Sequence, residues 1–307
     1  MENYLYQISI VICTYNRERY LPGSLDGLTQ QTFDRTKFQV IIVDNASTDN
    51  TAAVTKRFIK DNPGINIKYC FEKNKGLSFA RNRGIKESES PIISYVDDDV
   101  ILPPRFVEEV IGFFIKNRDA VGAGGKVIPK YEDGKEPEWI SKYLMGFLGK
   151  VDYGNAILQF DKTMKYPAGC NMIYKKEILE RAGGFNNELK FRSDDKYIFY
   201  KIKSISDEIY YLPDAWLYHY IDSYRLELKN FKTLFLKTGN EEKKRVFSEK
   251  GSYGVIKKLF EYLAKLGASL VLYFVFLAKG KSVKGKYVVI SQWCTLKGFL
   301  KKDVFVR

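Results

Sequence analysis

Apolar and polar positions follow two rhythms along the first part of the chain. QISIVICTY (7–15) and FQVIIVDN (38–45) are unbroken apolar, β-branched runs, and INIKYCF (65–71), PIISYVD (91–97) and AVGAGGKVI (120–128) follow them. Such runs suit strands buried on both faces, as in a parallel sheet. Between them the pattern takes a helical period, over 19–31, 48–60, 77–88 and 104–116. Ser47 and Thr48 are candidate N-caps for the second of these helices. Strand and helix alternate at the spacing of βαβ units, so residues 1–128 are expected to form an open, mostly parallel α/β sheet. Ligands of such sheets bind beyond the carboxyl ends of the strands. Three polar clusters fall at those ends: CTYNR, VDNASTD and VDDDV.

Further on the rhythm changes. Residues 131–167 are rich in aromatics and weakly periodic, which predicts loops and short helices. AGCNMIYKKEILERAGGF (168–185) reads as a strand running into a short helix that stops at Gly183 and Gly184. SDDKYIFYKIKS (193–204) reads as a helix with its acidic residues in the first turn, where the helix dipole favours them. EIYYLPDAWLYHY (208–220) suggests short strands, and beyond Tyr224 the chain is helical, basic and aromatic through Lys302.

Composition bounds this picture. With 307 residues, 45% hydrophobic and 28% charged, the chain can bury a sizeable core as one α/β domain with an appendage, or as two domains. Charge locates the appendage. Of 50 Lys and Arg and 37 Asp and Glu, 19 and 6 lie from Arg225 onward, which leaves 31 of each before it. The whole net charge of +13 therefore belongs to the last third, and marks a partner for that segment. Within it, LGASLVLYFVFLA (266–278) is uncharged but only 13 residues long, short of the roughly 20 that span a bilayer. Lys257, Lys258 and Lys265 flank it on one side and Lys279, Lys281, Lys284 and Lys286 on the other. That arrangement suits an interfacial or re-entrant anchor on an anionic membrane surface, or else a core helix packed on the catalytic domain. Cys13, Cys70, Cys170 and Cys294 are scattered without a CxxC pair, which suits reduced thiols in the cytosol. The opening MENYLYQISIVIC has no basic region ahead of a long apolar segment, so no secretory signal is expected.

The chemistry is concentrated in carboxylates. In ISYVDDDVILP (93–103) an apolar run breaks into Asp97, Asp98 and Asp99 and at once becomes apolar again. On an extended strand Asp97 and Asp99 share a face and can converge on one ligand. Hard carboxylate oxygens suit Mg²⁺ or Mn²⁺, typically held together with substrate phosphates. A solvated acidic loop is the simpler alternative for the triplet alone.

The order of motifs decides between these. TYNR follows strand 1, DNASTD follows strand 2, NKGLSFARNRGI precedes a helix, and DDD follows strand 4. Over roughly residues 7–220 the chain resembles the family 2 glycosyltransferases of bacterial type. The likeness rests on the TYN segment, on Asp44, Ser47 and Asp49, on Asn74 and Gly76 with Ala80, Arg81 and Asn82, and on the DxD. The resemblance implies the GT-A fold, a mostly parallel sheet flanked by helices, here followed by a helical basic C-terminal extension. It implies a catalytic domain over 1–224, with a nucleotide-binding half at 1–128 and an acceptor half at 129–224, and a membrane-associating extension over 225–307.

Roles follow from the same resemblance. Thr14, Asn16 and Arg17 would line the nucleotide pocket, and Asp44 would hydrogen-bond the base edge. Asn74 and Arg81 would help hold ribose or diphosphate, Asp97 and Asp98 would face the nucleotide, and Asp99 would face the metal. AGGFNNEL precedes Asp194 and Asp195, where the family carries an acidic pair at a helix start. Asp195 then matches the general base and Asp194 its supporting neighbour, although Asp replaces the usual Glu at 194. His219, the one histidine of the chain, is placed as either a metal ligand or a core histidine.

The function implied is inverting, metal-dependent transfer from a nucleotide-diphosphate sugar, with UDP as the commoner carrier in the family. The acceptor would be a saccharide or lipid-linked saccharide, and the enzyme would sit peripherally on the cytoplasmic face of the cell membrane. Acceptor and sugar selectivity are expected from 139–161 and 168–174. Other classes fit less well. A Rossmann enzyme needs GxGxxG after the first strand, where this chain has CTYNRERYLPG. A hydrolase would rest on His219 without a GxSxG, and a nucleotidyltransferase lacks its Gly- and Arg-rich loop. The alternative from another class is a nucleic-acid-binding protein that grips through its basic, aromatic tail. The apolar 266–278 run argues against it, so no nucleic acid is expected as a partner.

Overall fold

The computed structural model describes residues 4–161, 163–189 and 192–301. Lys302, the expected end of the helical tail, lies outside them. In chain order the elements are β1 (Ile8–Thr14), α1 (Leu21–Thr29), β2 (Phe38–Asp44), α2 (Thr51–Asp61), β3 (Asn66–Phe71), α3 (Leu77–Glu87), β4 (Ile92–Asp97), β5 (Val100–Ile101) and α4 (Phe106–Lys116). They continue with β6 (Gly122–Tyr131), β7 (Leu158–Gln159), β8 (Asn171–Lys175), α5 (Lys176–Arg181), α6 (Asp194–Lys203), β9 (Ile209–Ile221), α7 (Ser223–Leu226), α8 (Leu228–Ala278) and α9 (Ser282–Leu300).

Nine strands among the described residues form one mixed sheet in the order β3-β2-β1-β4-β8-β6-β9-β5, with β7 paired to β9. β1 pairs in parallel with β2 and β4, and β2 with β3. β8 runs antiparallel to β4, and β6 antiparallel to β8. The apolar run of β6 therefore belongs to the antiparallel part of the sheet. A strand buried on both faces has the same composition in either direction; its connections set the direction. β9 is one strand of 13 residues, where the sequence suggested several short ones. Gly125 of β6 lets the two backbones close at its middle, because a Cβ there would sit 1.7 Å from the Ala215 carbonyl oxygen.

Strand alternation sends neighbouring side chains to opposite faces. Ile8, Ile10 and Ile12 of β1 join Val40 and Ile42 in a core with Leu21, Leu25 and Leu28 of α1 and Phe106, Val107 and Val110 of α4. Val11, Ile41 and Val43 face a second core with Ala80 and Ile85 of α3, Ile178 and Leu179 of α5, and Ile198 and Ile202 of α6. Each such buried aliphatic side chain is worth about 1.5–3 kcal/mol. Both faces must therefore be covered, and helices cover both.

The helix after β2 starts at Thr51, later than Ser47 or Thr48 would have capped it. The Asp49 carboxylate accepts from the Thr51 backbone N–H (3.0 Å) and hydroxyl (2.6 Å). Ser47 and Thr48 instead bind Asn16, a partner remote in sequence.

The chain divides into two compact units, one of Met1–Pro129, Gly149–Lys190 and Asp194–Tyr220, the other of Lys130–Leu148, Phe191–Ser193 and Ile221–Arg307. The first carries the sheet. In the second, Gly251 breaks α8 at φ 61°, a value that suits glycine. The two limbs fold back on each other: Lys258 Nζ lies 3.8 Å from a Glu242 carboxylate oxygen. A straight helix would hold these residues about 24 Å apart. Phe231, Trp139, Phe147 and Tyr287 form the aromatic centre of this unit, with Trp139 stacked on Tyr287 at 4.4 Å.

Candidate active site

Four chain segments meet at the carboxyl ends of β1, β2 and β4, as the topology of an open α/β sheet requires. After β1, Asn16 adopts φ 53°, a left-handed conformation that Asn tolerates. Its backbone N–H donates to the Ser47 hydroxyl at 2.9 Å, and its side-chain oxygen accepts from the Thr48 N–H at 2.8 Å. The loops after β1 and β2 are thus clasped to each other. Asp44 at the end of β2 is buried and accepts from the Ser47 N–H (2.9 Å) and the Tyr69 hydroxyl (2.8 Å).

Asn45, next in the chain, belongs to the same DNASTD segment, where its spacing alone points to no role. Its amide donates to the Asn74 carbonyl at 2.7 Å and its oxygen accepts from the Gly76 N–H at 2.7 Å. It therefore holds the third loop against the second. Asn74 itself is exposed.

The acidic triplet has an asymmetric setting. Asp97 is 38% exposed at its side chain, whereas Asp98 and Asp99 are below a tenth. Arg17 stands over the buried pair, 3.4 Å from an Asp98 oxygen and 3.6 Å from an Asp99 oxygen. β5 pairs Val100 with His219 of β9, which brings the imidazole Nε2 to 3.3 Å from Asp99 Oδ1. Asp97, Asp99 and His219 each offer one ligand atom, and these atoms all lie within 4.8 Å of one another. Two carboxylate charges at such a distance repel by about 3–4 kcal/mol at the effective dielectric of protein sites. Burial raises the Asp98 pKa to about 7, against the lowering effect of Arg17 and with further raising by Asp99. Burial also raises Asp97, while Arg81 lowers it. The donor set, two carboxylate oxygens and one imidazole nitrogen, fits a divalent ion of the Mn²⁺ type.

Arg81 is deeply buried. Its guanidinium pairs with the Asp194 carboxylate, donates to the Gly169 carbonyl at 3.0 Å, lies 3.6 Å from an Asp97 oxygen and stacks over Phe185. Asp194 opens α6, so this one side chain ties the start of that helix to the acidic triplet. Asp195, next in α6, is half-buried, and one of its oxygens accepts from the Lys196 N–H at 2.7 Å.

Two further neighbours, Gly149 and Tyr174, lie within the segments 139–161 and 168–174 expected to set selectivity, although neither has an individual role there. Gly149 (φ 68°) packs so closely that a Cβ would lie 3.1 Å from His219 Nδ1. Tyr174 buries a hydroxyl within reach of the Asp195 charge; burial first, and that charge second, push its pKa far above the ordinary range. The segments were expected at the site, but which of their residues meet His219 and Asp195 is set by folding.

Comparison with known proteins identifies the fold and the family. A solved mannosyltransferase from Pyrobaculum calidifontis, in complex with GDP-Man and Mn²⁺, superposes with a TM-score of 0.63 at 15% identity, over 95% of this chain and 88% of that one. Residues 1–349 of Staphylococcus aureus TarS superpose with a TM-score of 0.55 at 19% identity, over 94% and 91% of the two chains. These likenesses establish the GT-A fold. In sequence, a glucosyl-dolichyl phosphate glucuronosyltransferase of Haloferax volcanii is 24% identical over 194 residues, which is 62% of this chain and 59% of that protein. The poly(ribitol-phosphate) β-N-acetylglucosaminyltransferase TarS is 24% identical over 202 residues, 63% of this chain and 35% of its own length. The chain thus matches only part of these curated relatives. The family model for glycosyl transferase family 2 matches residues 9–183, more than half of the chain, and the protein belongs to that family.

Proposed function

We propose that the protein transfers a sugar, with inversion, from a nucleotide-diphosphate donor to a hydroxyl of a saccharide or lipid-linked saccharide. The observation that carries this reading is the convergence of Asp97, Asp99 and His219 within 4.8 Å, beside the helix start that presents Asp195. In this reading Asp99 and His219, with Asp97, hold Mn²⁺ or Mg²⁺. Such an ion, when bound, supplies Lewis-acid stabilisation of charge on the departing nucleoside diphosphate.

The remaining roles belong to the chain itself. Thr14 and Asp44 at the ends of β1 and β2, with Asn16 and Asn74 on the loops clasped by Asn16 and Asn45, line the nucleotide end. Arg17 presents its guanidinium, which suits phosphate in charge and geometry. Asp98 faces the nucleotide beside it. Arg81 acts as a positioning residue: it holds Asp194, and with it the start of α6, at a fixed place relative to Asp97. Asp195 takes the proton of the acceptor hydroxyl as that oxygen attacks the anomeric carbon. Single displacement of this kind needs one base and no second nucleophilic carboxylate.

A UDP-sugar donor is favoured by family frequency, and a peripheral place on the cytoplasmic face of the membrane by the basic extension over 225–307. The test is a screen of UDP-, GDP- and dTDP-sugars for hydrolysis that depends on Mn²⁺ or Mg²⁺. Release of nucleotide from one donor class, abolished by chelation, is expected; turnover of none would remove the enzyme reading.

A further inference from the structure

The second limb of α8, residues 252–278, leaves one face uncovered. Tyr253, Ile256, Phe260, Leu263, Leu270 and Phe274 recur at steps of three and four, with Gly267 keeping the step, and are 47–78% exposed. The stripe they form is about 30 Å long. The opposite face is packed: Gly254, Tyr262 and Ser269 are buried, and Tyr262 meets Phe299 of α9 edge-on at 5.1 Å. An apolar stripe of that extent on a water-facing helix marks a partner.

Three occupants can be weighed. α8 is long and apolar enough to cross a membrane by length and composition. Its uncharged stretch, however, is 13 residues, about 20 Å of helix against a hydrocarbon core of about 30 Å. The turn that follows carries Lys279 and Lys281, and the start of α9 carries Lys284 and Lys286, all of which entry tip-first would drag into hydrocarbon. A second copy of the chain is the next candidate, since steps of three and four make a coiled-coil seam. Such seams are specified by opposite charges beside them. Here Lys257 alone borders the stripe, Lys265 lies over the Tyr262 ring on the packed side, and Glu261 is bonded to Lys258 within the same limb, so no pair of opposite charges stands beside the stripe. Two such faces would meet with no charge pairing to set their register.

An anionic lipid surface satisfies both features. Around residues 267–278 the exposed arc widens to include Ala268, Val271 and Val275, as suits a helix sunk in a plane rather than matched to one seam. We propose that limb 252–278 and the lysine-bearing turn after it lie flat in one leaflet of an anionic membrane. The 253–274 stripe faces the acyl chains, the lysines lie at the phosphates, and no segment of this limb crosses. This rests on and deepens the peripheral placement given above, and its test uses no sugar transfer, so the two can fail separately.

The test takes the full chain with vesicles of phosphatidylcholine, with and without phosphatidylglycerol. Binding is expected only with phosphatidylglycerol, and it should weaken with salt. Phe260→Glu and Phe274→Glu should each weaken it by at least about tenfold, roughly the loss of one buried aromatic contact, with circular dichroism unchanged. A cysteine introduced as Lys281→Cys should react with an impermeant maleimide added outside, on vesicle-bound protein as on free protein. Protection of that thiol would show a crossing helix and overturn the proposal. So would equal binding to phosphatidylcholine alone, or a lipid-free dimer that Phe274→Glu dissociates in a protein that binds no vesicles.

Discussion

Arg81 and Asp194 form a buried ion pair, with both side chains 3% exposed. It links α3 to the first residue of α6, and the same guanidinium reaches Asp97 and the Gly169 carbonyl. Removing one partner of a buried pair strands the other, at a cost of about 3–5 kcal/mol. Arg81→Ala should therefore lower the urea midpoint strongly and abolish activity. Arg81→Lys should keep charge but lose the two-pronged geometry, with activity reduced more than stability. A cost under about 1 kcal/mol for the alanine variant would deny Arg81 its positioning role.

Metal binding should depend on Asp99. In Asp99→Ala, Mn²⁺ affinity measured by calorimetry should fall by more than about tenfold, the usual effect of losing one ligand or its support. His219→Gln should weaken Mn²⁺ in the same direction. Unchanged Mn²⁺ affinity in both variants would move the metal away from this cluster.

Asp195 should separate chemistry from donor binding. Asp195→Asn is expected to lower kcat by about 10²–10⁴-fold, the range for loss of a general base, while the donor dissociation constant stays within about twofold. Loss of donor binding in step with kcat would make Asp195 a binding residue.

The triplet also predicts a pH dependence in chelated protein. Asp98 has its folded pKa raised to about 7 from 3.8, so the folded state binds the proton more tightly than the unfolded state. Its stabilising contribution is present below the unfolded pKa and is lost as pH rises through the folded one. Asp98→Asn cannot ionise, so its melting temperature relative to wild type should rise between pH 5 and pH 8 in the presence of chelator. A relative melting temperature that falls over that interval would reverse the assignment.

Much of the fold over residues 1–128 could be read from local pattern. β1 to β4 and α1 to α4 lie where apolar runs and helical periods put them, because a strand buried on both faces must be apolar throughout and a covering helix must carry an apolar stripe. What pattern lacked was direction and continuity. β6 runs antiparallel, and β9 continues through Pro213 and Asp214 because Gly125 lets β6 close on it. The start of α2 departs from its period, at Thr51 instead of residue 48, because Ser47 and Thr48 bind Asn16, a partner more than thirty residues away.

The sequence by itself determined which chemistry was available: three adjacent aspartates, an acidic pair at a helix start, and a basic tail with an uncharged run. Only the tertiary structure decided which of these groups meet. β5 and β9 bring His219 to Asp99, and the packing of α3 against the second core buries Arg81 between Asp97 and Asp194. The break at Gly251 turns one long helical pattern into two limbs, one of them bare along its outer face. The physical reason is the same in each case. Residue type and spacing set what a side chain can do, but side chains tens of residues apart meet only when burial of the apolar faces fixes how the elements pack.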